Sequence, residues 1–135
     1  MNIRSQKGLS TESMLLIALV AIFAVTLFLK FFDFYYEDHL VRKGLQKLAR
    51  DHPTDLAELS KSKIKGEMSK FYTLNGVRGK EVTEALDVDR KKETTLIIIA
   101  YEVRAPLFWN IDAVLKFNNV LDTSKPDECC SPPKE

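Results

Sequence analysis

The feature that most constrains this chain is an apolar run from Met14 to Leu29, in which no residue is charged and only Thr26 is polar. Extended to residues 13–32, the run predicts a helix about 30 Å long at roughly 1.5 Å per residue, with Lys30 near its end. The hydrocarbon core of a bilayer is also about 30 Å thick. The sequence therefore predicts a transmembrane helix at 13–32, with the lipid bilayer as its surroundings.

The residues on either side of the run predict its orientation. Arg4 and Lys7 precede it with no acidic residue before Glu12, whereas acidic residues follow it. The positive-inside rule keeps such a basic tail in the cytoplasm, and the aromatic residues at 31–36 are typical of the outer interface. We therefore expect a single-pass protein of the inner membrane, with a cytoplasmic tail at 1–12 and a periplasmic domain at 33–123.

Two kinds of processing compete with retention of the whole N-terminus. A cleaved secretory signal needs small residues before a polar cleavage region, but here Lys30 and bulky aromatic residues follow the run, which favours a retained anchor. Gly8 and Leu9 resemble the cleavage site of type IV pilin-like proteins, in which the fifth mature residue is acidic. Here Glu12 would be the fourth residue, so an uncut leader is favoured.

The helix is predicted to continue beyond the membrane to Arg50, because no proline or glycine interrupts the chain from Leu9 until Gly44. Its apolar stripe recurs with the 3.6-residue period of an amphipathic helix and comprises Phe34, Val41, Leu45 and Leu48. A second helix is predicted to start at Thr54, as its N-cap, and to end at Leu74–Gly76.

The second half of the chain predicts three strands. Residues 82–89 alternate between apolar and polar, 94–104 are apolar on both faces as in a central strand, and 111–118 have one apolar face. Local connections imply an antiparallel meander. Two helices on one face of this sheet give a small α+β domain with pilin-like architecture. The proline-rich and charged residues 124–135 predict a disordered tail.

Composition and motifs predict neither an enzyme nor a nucleic-acid-binding protein. The chain has 20 Lys and Arg against 19 Asp and Glu, so it lacks the basic excess that binds nucleic acid. His39 and His52 are its only histidines, and neither has cysteines or paired acids at metal-ligand spacing. There is no nucleophile elbow and no glycine-rich phosphate loop. We expect no catalytic residue, no cofactor and no metal.

Two residue pairs remain as candidate sites. Phe108 and Trp109 lie in the connection between the last two strands, where they are either core residues or an exposed contact for a membrane or periplasmic protein partner. Cys129 and Cys130 are adjacent, so a disulfide between them is expected only with strain. They are either an incidental pair, which we favour, or a handle for a disulfide between chains in an oxidising compartment.

The basic leader with Gly8, the span that runs into aromatic residues, and the segment Tyr101–Leu107 followed by Asn110 and Phe117 resemble an uncharacterised family. It comprises small proteobacterial inner-membrane proteins that contain a domain of unknown function, and the resemblance covers roughly 8–120. The family has no established activity, so it implies no catalytic residues. Its genes commonly lie beside those for signal peptidase I and ribonuclease III, which implies a link to protein export. We expect a membrane-anchored interaction or accessory protein, or alternatively a pilin-like subunit processed at Gly8.

Overall fold

The computed structural model describes residues 10–77 and 80–130. Its elements in chain order are α1 (Thr11–Asp51), α2 (Lys61–Leu74), α3 (Lys80–Glu84), β1 (Leu86–Arg90), β2 (Thr95–Phe108), β3 (Ile111–Asp122) and a 3-10 helix at Pro126–Glu128. The strands form one antiparallel sheet in the order β1-β2-β3. The predicted α+β layout, with a long N-terminal helix and a three-stranded antiparallel sheet, is confirmed, and the central strand predicted at 94–104 is β2.

Helix α1 is a single helix of 41 residues whose two ends have different surroundings. Ser10 caps its start by accepting a hydrogen bond from the backbone N–H of Ser13 at 3.3 Å. An 18-residue window of α1 has a mean hydropathy of 2.7, and none of that window is buried. From Asp38 onward α1 packs into the domain. We call residues 13–32 the apolar half and residues 38–51 the packed half of α1.

The core lies between the packed half of α1, α2 and one face of the sheet. The residues with the least exposed side chains come from all of these elements: Val41, Leu45, Ile64, Met68, Leu86, Ile97, Ile99 and Leu121. On β2, Ile97 and Ile99 join the core, whereas Leu96 and Ile98 on the other face are half-buried and lie outside it. The predicted stripe of α1 is confirmed, since Val41, Leu45 and Leu48 are all buried.

Helix α2 begins at Lys61, so the prediction that it starts at Thr54 is wrong. Ser60 is the N-cap, and its side chain accepts a hydrogen bond from the backbone N–H of Lys63 at 3.3 Å. Residues 53–58 instead form turns, which bring Leu56 and Leu59 into the core. The apolar residues at 56 and 59 therefore reflect a packed loop rather than the first turn of a helix.

The first predicted strand is also partly wrong, because residues 80–84 form α3 and β1 starts only at Leu86. The backbone N–H of Ala85 donates to the carbonyl of Glu81 at 2.8 Å, a helical hydrogen bond. Val82 and Leu86 are both buried. Residues four positions apart share a helix face, and they also share a face in an alternating strand, so the pattern at 82–86 fits both structures.

Strands β2 and β3 form a hairpin that is longer than predicted. β2 runs through Pro106 to Phe108, and β3 continues to Asp122, with an irregularity in register between Pro106 and Phe108. Because β1 pairs with β2 only as far as Ile99, the rest of β2 has one open edge, where a proline is tolerated. The predicted connection at 105–110 therefore shrinks to a turn of Trp109 and Asn110.

Residues 124–130 differ from the disordered tail predicted for 124–135. They include the 3-10 helix at Pro126–Glu128, and they end with Cys130 buried in the core. The prediction failed because it rested on the charged, proline-rich composition of the tail. The cysteine side chains nevertheless pack against the core. Residues 131–135 lie outside the described part of the chain.

Candidate functional site

The far end of the β2–β3 hairpin carries a group of exposed apolar side chains, Phe108, Trp109 and Ile111. We call residues 107–111 the hairpin tip. Phe108 pairs with Ile111 across the turn, and Trp109 has a φ of 49°. This left-handed conformation is common in two-residue hairpin turns but unusual for a bulky side chain. The side chain of Trp109 contacts little else, because it is 106% exposed relative to the reference state.

The hairpin tip lies beside the apolar half of α1. The ring of Phe108 stacks on the ring of Phe23 with their centroids 5.5 Å apart and their planes at 11°. Phe23 lies near the middle of residues 13–32. Of the two predictions for Phe108 and Trp109, the core position is therefore wrong for Trp109. Phe108 packs on the apolar half of α1 and not in the core of the domain.

Lys30, seven residues after Phe23, also links α1 to the hairpin. Its Nζ donates to the backbone carbonyls of Pro106 and Leu107, each at 3.1 Å. The same Nζ lies 5.9 Å from the centre of the Phe108 ring, within range of a cation–π attraction. A charge removed from water is costly unless it has such partners. The one charged residue in the apolar half is thus held by groups of the hairpin.

Further along α1, a buried polar cluster joins the helix to the sheet. Asp38 is only 3% exposed. Its Oδ1 accepts hydrogen bonds from Asn119 Nδ2 at 2.7 Å and from the Tyr101 hydroxyl at 3.2 Å. Its Oδ2 pairs with Arg42 Nη2 at 3.0 Å, and Arg42 Nε donates to Asn119 Oδ1 at 3.0 Å. The cluster therefore connects α1 with both β2 and β3.

Burial raises the pKa of Tyr101 and of Tyr72 well above the usual range, and the nearby charge of Asp38 raises both further. Both hydroxyls consequently stay protonated at neutral pH and act as donors. Tyr101 donates to Asp38, and Tyr72 donates to the carbonyl of Val41 at 3.4 Å. These bonds hold the packed half of α1 against β2 and α2.

A second polar cluster surrounds His52, directly after α1. His52 Nδ1 lies 3.3 Å from Asp55 Oδ2, and Nε2 lies 3.0 Å from Glu67 Oε2. The hydrogen bond with Glu67 is the main cause that raises the pKa of His52; burial opposes it and Asp55 adds to it. Beside this cluster lies a groove of about 320 Å³, which is lined by residues of both α1 and α2. The sequence misses the cluster because Glu67 is distant along the chain, although Asp55 is a local signal.

A family model described as a domain of unknown function, DUF4845, matches residues 30–117, which is more than half of the chain. The chain belongs to this family. The DUF4845 match begins at Lys30 and includes the whole hairpin tip, so both sides of the contact between Lys30 and the hairpin lie within it. Comparison with curated proteins and with solved structures yields no match.

No group of three or more His, Cys, Asp or Glu side chains within residues 10–77 and 80–130 is arranged to hold a metal ion. In the DUF4845 segment several titratable side chains instead contact one another. Both ring nitrogens of His52 face carboxylates, and Glu102 pairs across the strands with Lys116 at 2.9 Å.

The cysteines lie just beyond the DUF4845 segment. Cys129 and Cys130 are joined to each other by a disulfide. Cys130 is 4% exposed, and its Sγ lies 3.8 Å from the carbonyl oxygen of Arg42. The pair thus packs on the outer end of the domain core and is bonded within the chain. The predicted processing site, Gly8 and Leu9, lies outside the described residues.

Proposed function

We propose that this chain is a membrane-anchored, non-enzymatic accessory protein that presents its DUF4845 domain to a protein partner in the periplasm. The observation that carries the proposal is the division of α1. An 18-residue window of α1 has a mean hydropathy of 2.7, and none of its residues is buried. The packed half, in contrast, forms part of the domain core. A single helix with these two surroundings suits an anchor that leads directly into a domain.

The proposed orientation is supported by the groups at the two ends of the apolar half. Arg4 and Lys7 precede it, and aromatic side chains follow. Phe28, Phe32 and Tyr36 succeed one another along one face of α1, with ring centroids 6.0 and 6.2 Å apart, and all three are exposed. Aromatic rings favour the headgroup layer, so this face suits the outer interface of the inner membrane.

The non-enzymatic role is supported by how the buried polar groups are used. Asp38 accepts hydrogen bonds from Asn119 and Tyr101 and pairs with Arg42. His52 lies between two carboxylates. Buried polar groups that are satisfied by one another are typical of a structural role. The gene neighbourhood implied by the family resemblance makes a protein-export complex the first place to look for the partner.

Topology is the first test. A reporter that is active only in the periplasm, fused after Glu135, should be active and should fractionate with the inner membrane. The same reporter fused before Met1 is the matched control and should be inactive. Activity only from a cytoplasmic reporter fused after Glu135 would refute the proposed orientation.

The mass of the intact, natively expressed chain shows whether the apolar half is retained as an anchor or removed by cleavage. An anchor retains residues 1–32. A chain that begins after the apolar half would indicate a secretory signal and would remove the anchor.

The second candidate function, a pilin-like subunit, is favoured by the sequence at Gly8 and Leu9 together with a helix that is bare at one end and packed on a sheet at the other. This function requires a mature chain that begins at Leu9. A methylated N-terminal amine at Leu9, together with recovery of the chain in sheared filaments, would replace the accessory function by the pilin-like one.

A further inference from the structure

We propose that the hairpin tip, residues 107–111, inserts into the outer leaflet beside α1, so that the domain holds a second contact with the acyl chains of the bilayer. This inference rests on the proposed anchoring of the apolar half of α1. It assigns the exposed Phe108 and Trp109 to lipid rather than to a protein partner. The domain would then be fixed to the membrane surface at two points, which sets its tilt as well as its location.

The depth of the tip follows from the position of Phe23. Phe23 precedes Lys30 by seven residues, which corresponds to roughly 10 Å along the helix axis. Half of the hydrocarbon core measures about 15 Å. Because the Phe108 ring stacks on Phe23 at 5.5 Å, the tip lies at the depth of the acyl chains whenever the apolar half spans the bilayer.

The composition of the hairpin differs between the tip and the strands that lead to it. Within the tip, Asn110 is the only polar residue, and Trp109 and Ile111 are 106% and 59% exposed. Outside it, Asp112 follows directly on β3, and the nearest charged residue on β2 is Arg104, three residues before the tip. An exposed apolar end that continues the apolar surface of α1 and stops at a charged boundary matches the chemistry of a lipid leaflet.

Several backbone groups in and next to the tip have partners within the protein. In lipid, every polar backbone group must find a partner within the protein. Phe108 and Ile111 pair across the turn, and Pro106 has no N–H to satisfy. On the open edge of β2, the carbonyls of Pro106 and Leu107 accept hydrogen bonds from Lys30 at 3.1 Å. Lys30 therefore satisfies these carbonyls, and they in turn hold its charge.

The test uses the single tryptophan of the chain as a reporter of depth. The full chain is reconstituted into phosphatidylcholine vesicles that contain lipids brominated at a shallow or a deep position of the acyl chain. We expect Trp109 to emit at short wavelength, to be strongly quenched by the brominated lipids, and to be severalfold less accessible to aqueous acrylamide than a tryptophan in water.

The matched control moves the reporter along the same hairpin. In the double variant Trp109→Phe, Asn118→Trp, the tryptophan occupies an exposed position of β3, roughly 23 Å from the tip at about 3.3 Å per residue. This variant should be quenched by acrylamide and not by brominated lipid. Lys30→Met should reduce the lipid quenching of Trp109, whereas Lys43→Met, on an exposed part of α1, should leave it unchanged.

Each outcome either supports or refutes insertion of the hairpin tip. If Trp109 is as accessible to acrylamide as the control tryptophan while the chain still floats with the vesicles, the tip does not insert, and it is free for a protein partner. If the chain does not float with the vesicles after alkaline extraction, the proposed anchoring itself has failed. Quenching of Trp109 by brominated lipid in a chain that resists extraction supports both.

Discussion

At the scale of single residues, the hydrogen bond from Asn119 to Asp38 decides how α1 meets the sheet. Asp38 occupies the apolar face of α1 and is almost fully buried, so its charge requires partners inside the protein. Arg42 is one partner, but its side chain is 51% exposed, and such a pair contributes little on its own. Asn119 is fully buried, bonds to both Asp38 and Arg42, and thereby completes the cluster.

We expect Asn119→Ala to lower the free energy of unfolding by about 1–3 kcal/mol, because it leaves a buried carboxylate short of a donor. Chemical denaturation of the full chain in detergent, followed by circular dichroism, measures the change. Asn118→Ala is the matched control, since Asn118 is exposed and should change stability by no more than about 0.5 kcal/mol. Equal effects of the two substitutions would contradict the role of Asn119.

At the scale of elements, Gly44 sets how closely α1 and α2 approach. A Cβ added at Gly44 would lie 3.0 Å from atoms of both Phe71 and Tyr72 and 3.2 Å from Met68. The helices therefore pack with glycine at the contact, and a larger residue would force them apart. Gly66, in the middle of α2, has no atom within 4 Å of such a Cβ.

This difference predicts opposite effects at the two glycines. Gly44→Leu should destabilise the domain by about 1–3 kcal/mol through overpacking. Gly66→Ala should stabilise it by up to about 1 kcal/mol, because alanine favours the helix and meets no obstacle. Thermal unfolding of both variants, recorded under identical conditions, checks the signs. A stabilising Gly44→Leu would mean that the two helices are not in close contact.

The link between α1 and α2 through His52 predicts a dependence of stability on pH. The pKa of His52 is raised above its ordinary value of 6.5 in the folded chain. Its contribution is therefore complete below about pH 6.5 and is lost as the pH rises through the raised pKa. We expect the free energy of unfolding to fall as the pH rises above about 6.5, and His52→Gln to remove much of this fall. An unchanged slope in His52→Gln would assign the pH dependence to other groups.

At the scale of the whole molecule, the core starts at the packed half of α1. None of the described residues before Asp38 is buried. Phe23 stacks on Phe108, and Lys30 donates to the carbonyls of Pro106 and Leu107, at the edge of the domain. The apolar half and the domain are thus continuous in one helix, and we expect the stability of the domain not to depend on the apolar half.

A chain that begins at Asp33 should therefore still unfold cooperatively, with a melting temperature within about 5 °C of the full chain in the same detergent. A chain that begins at Lys43 is the control, because it loses Asp38 and Val41 from the core and should lack a cooperative transition. Near-ultraviolet circular dichroism during heating distinguishes the two. If the chain that begins at Asp33 lacks fixed tertiary structure, then the domain requires the apolar half in order to fold.

The sequence by itself determined the features that depend on the pattern of consecutive residues. The apolar run, the continuous helix and its buried stripe, and the central strand each follow from a repeat along the chain, because one face of an element meets one environment. The same reasoning failed where a single pattern suits two structures, as at residues 82–86, or where a capping residue competes with an earlier one, as with Ser60 and Thr54.

Only the tertiary structure decided which distant residues meet. Asp38 and Asn119 are 81 positions apart, and Lys30 reaches carbonyls 76 and 77 positions away. The sequence marks Asp38 as an acid on an apolar stripe, Lys30 as a charge in an apolar run and Trp109 as an aromatic in a turn. Their partners depend on how far β2 and β3 extend and on which side of α1 the hairpin packs. These are properties of the assembled fold, because contacts between elements are chosen by the packing of whole faces and not by the residues next to each other in the chain.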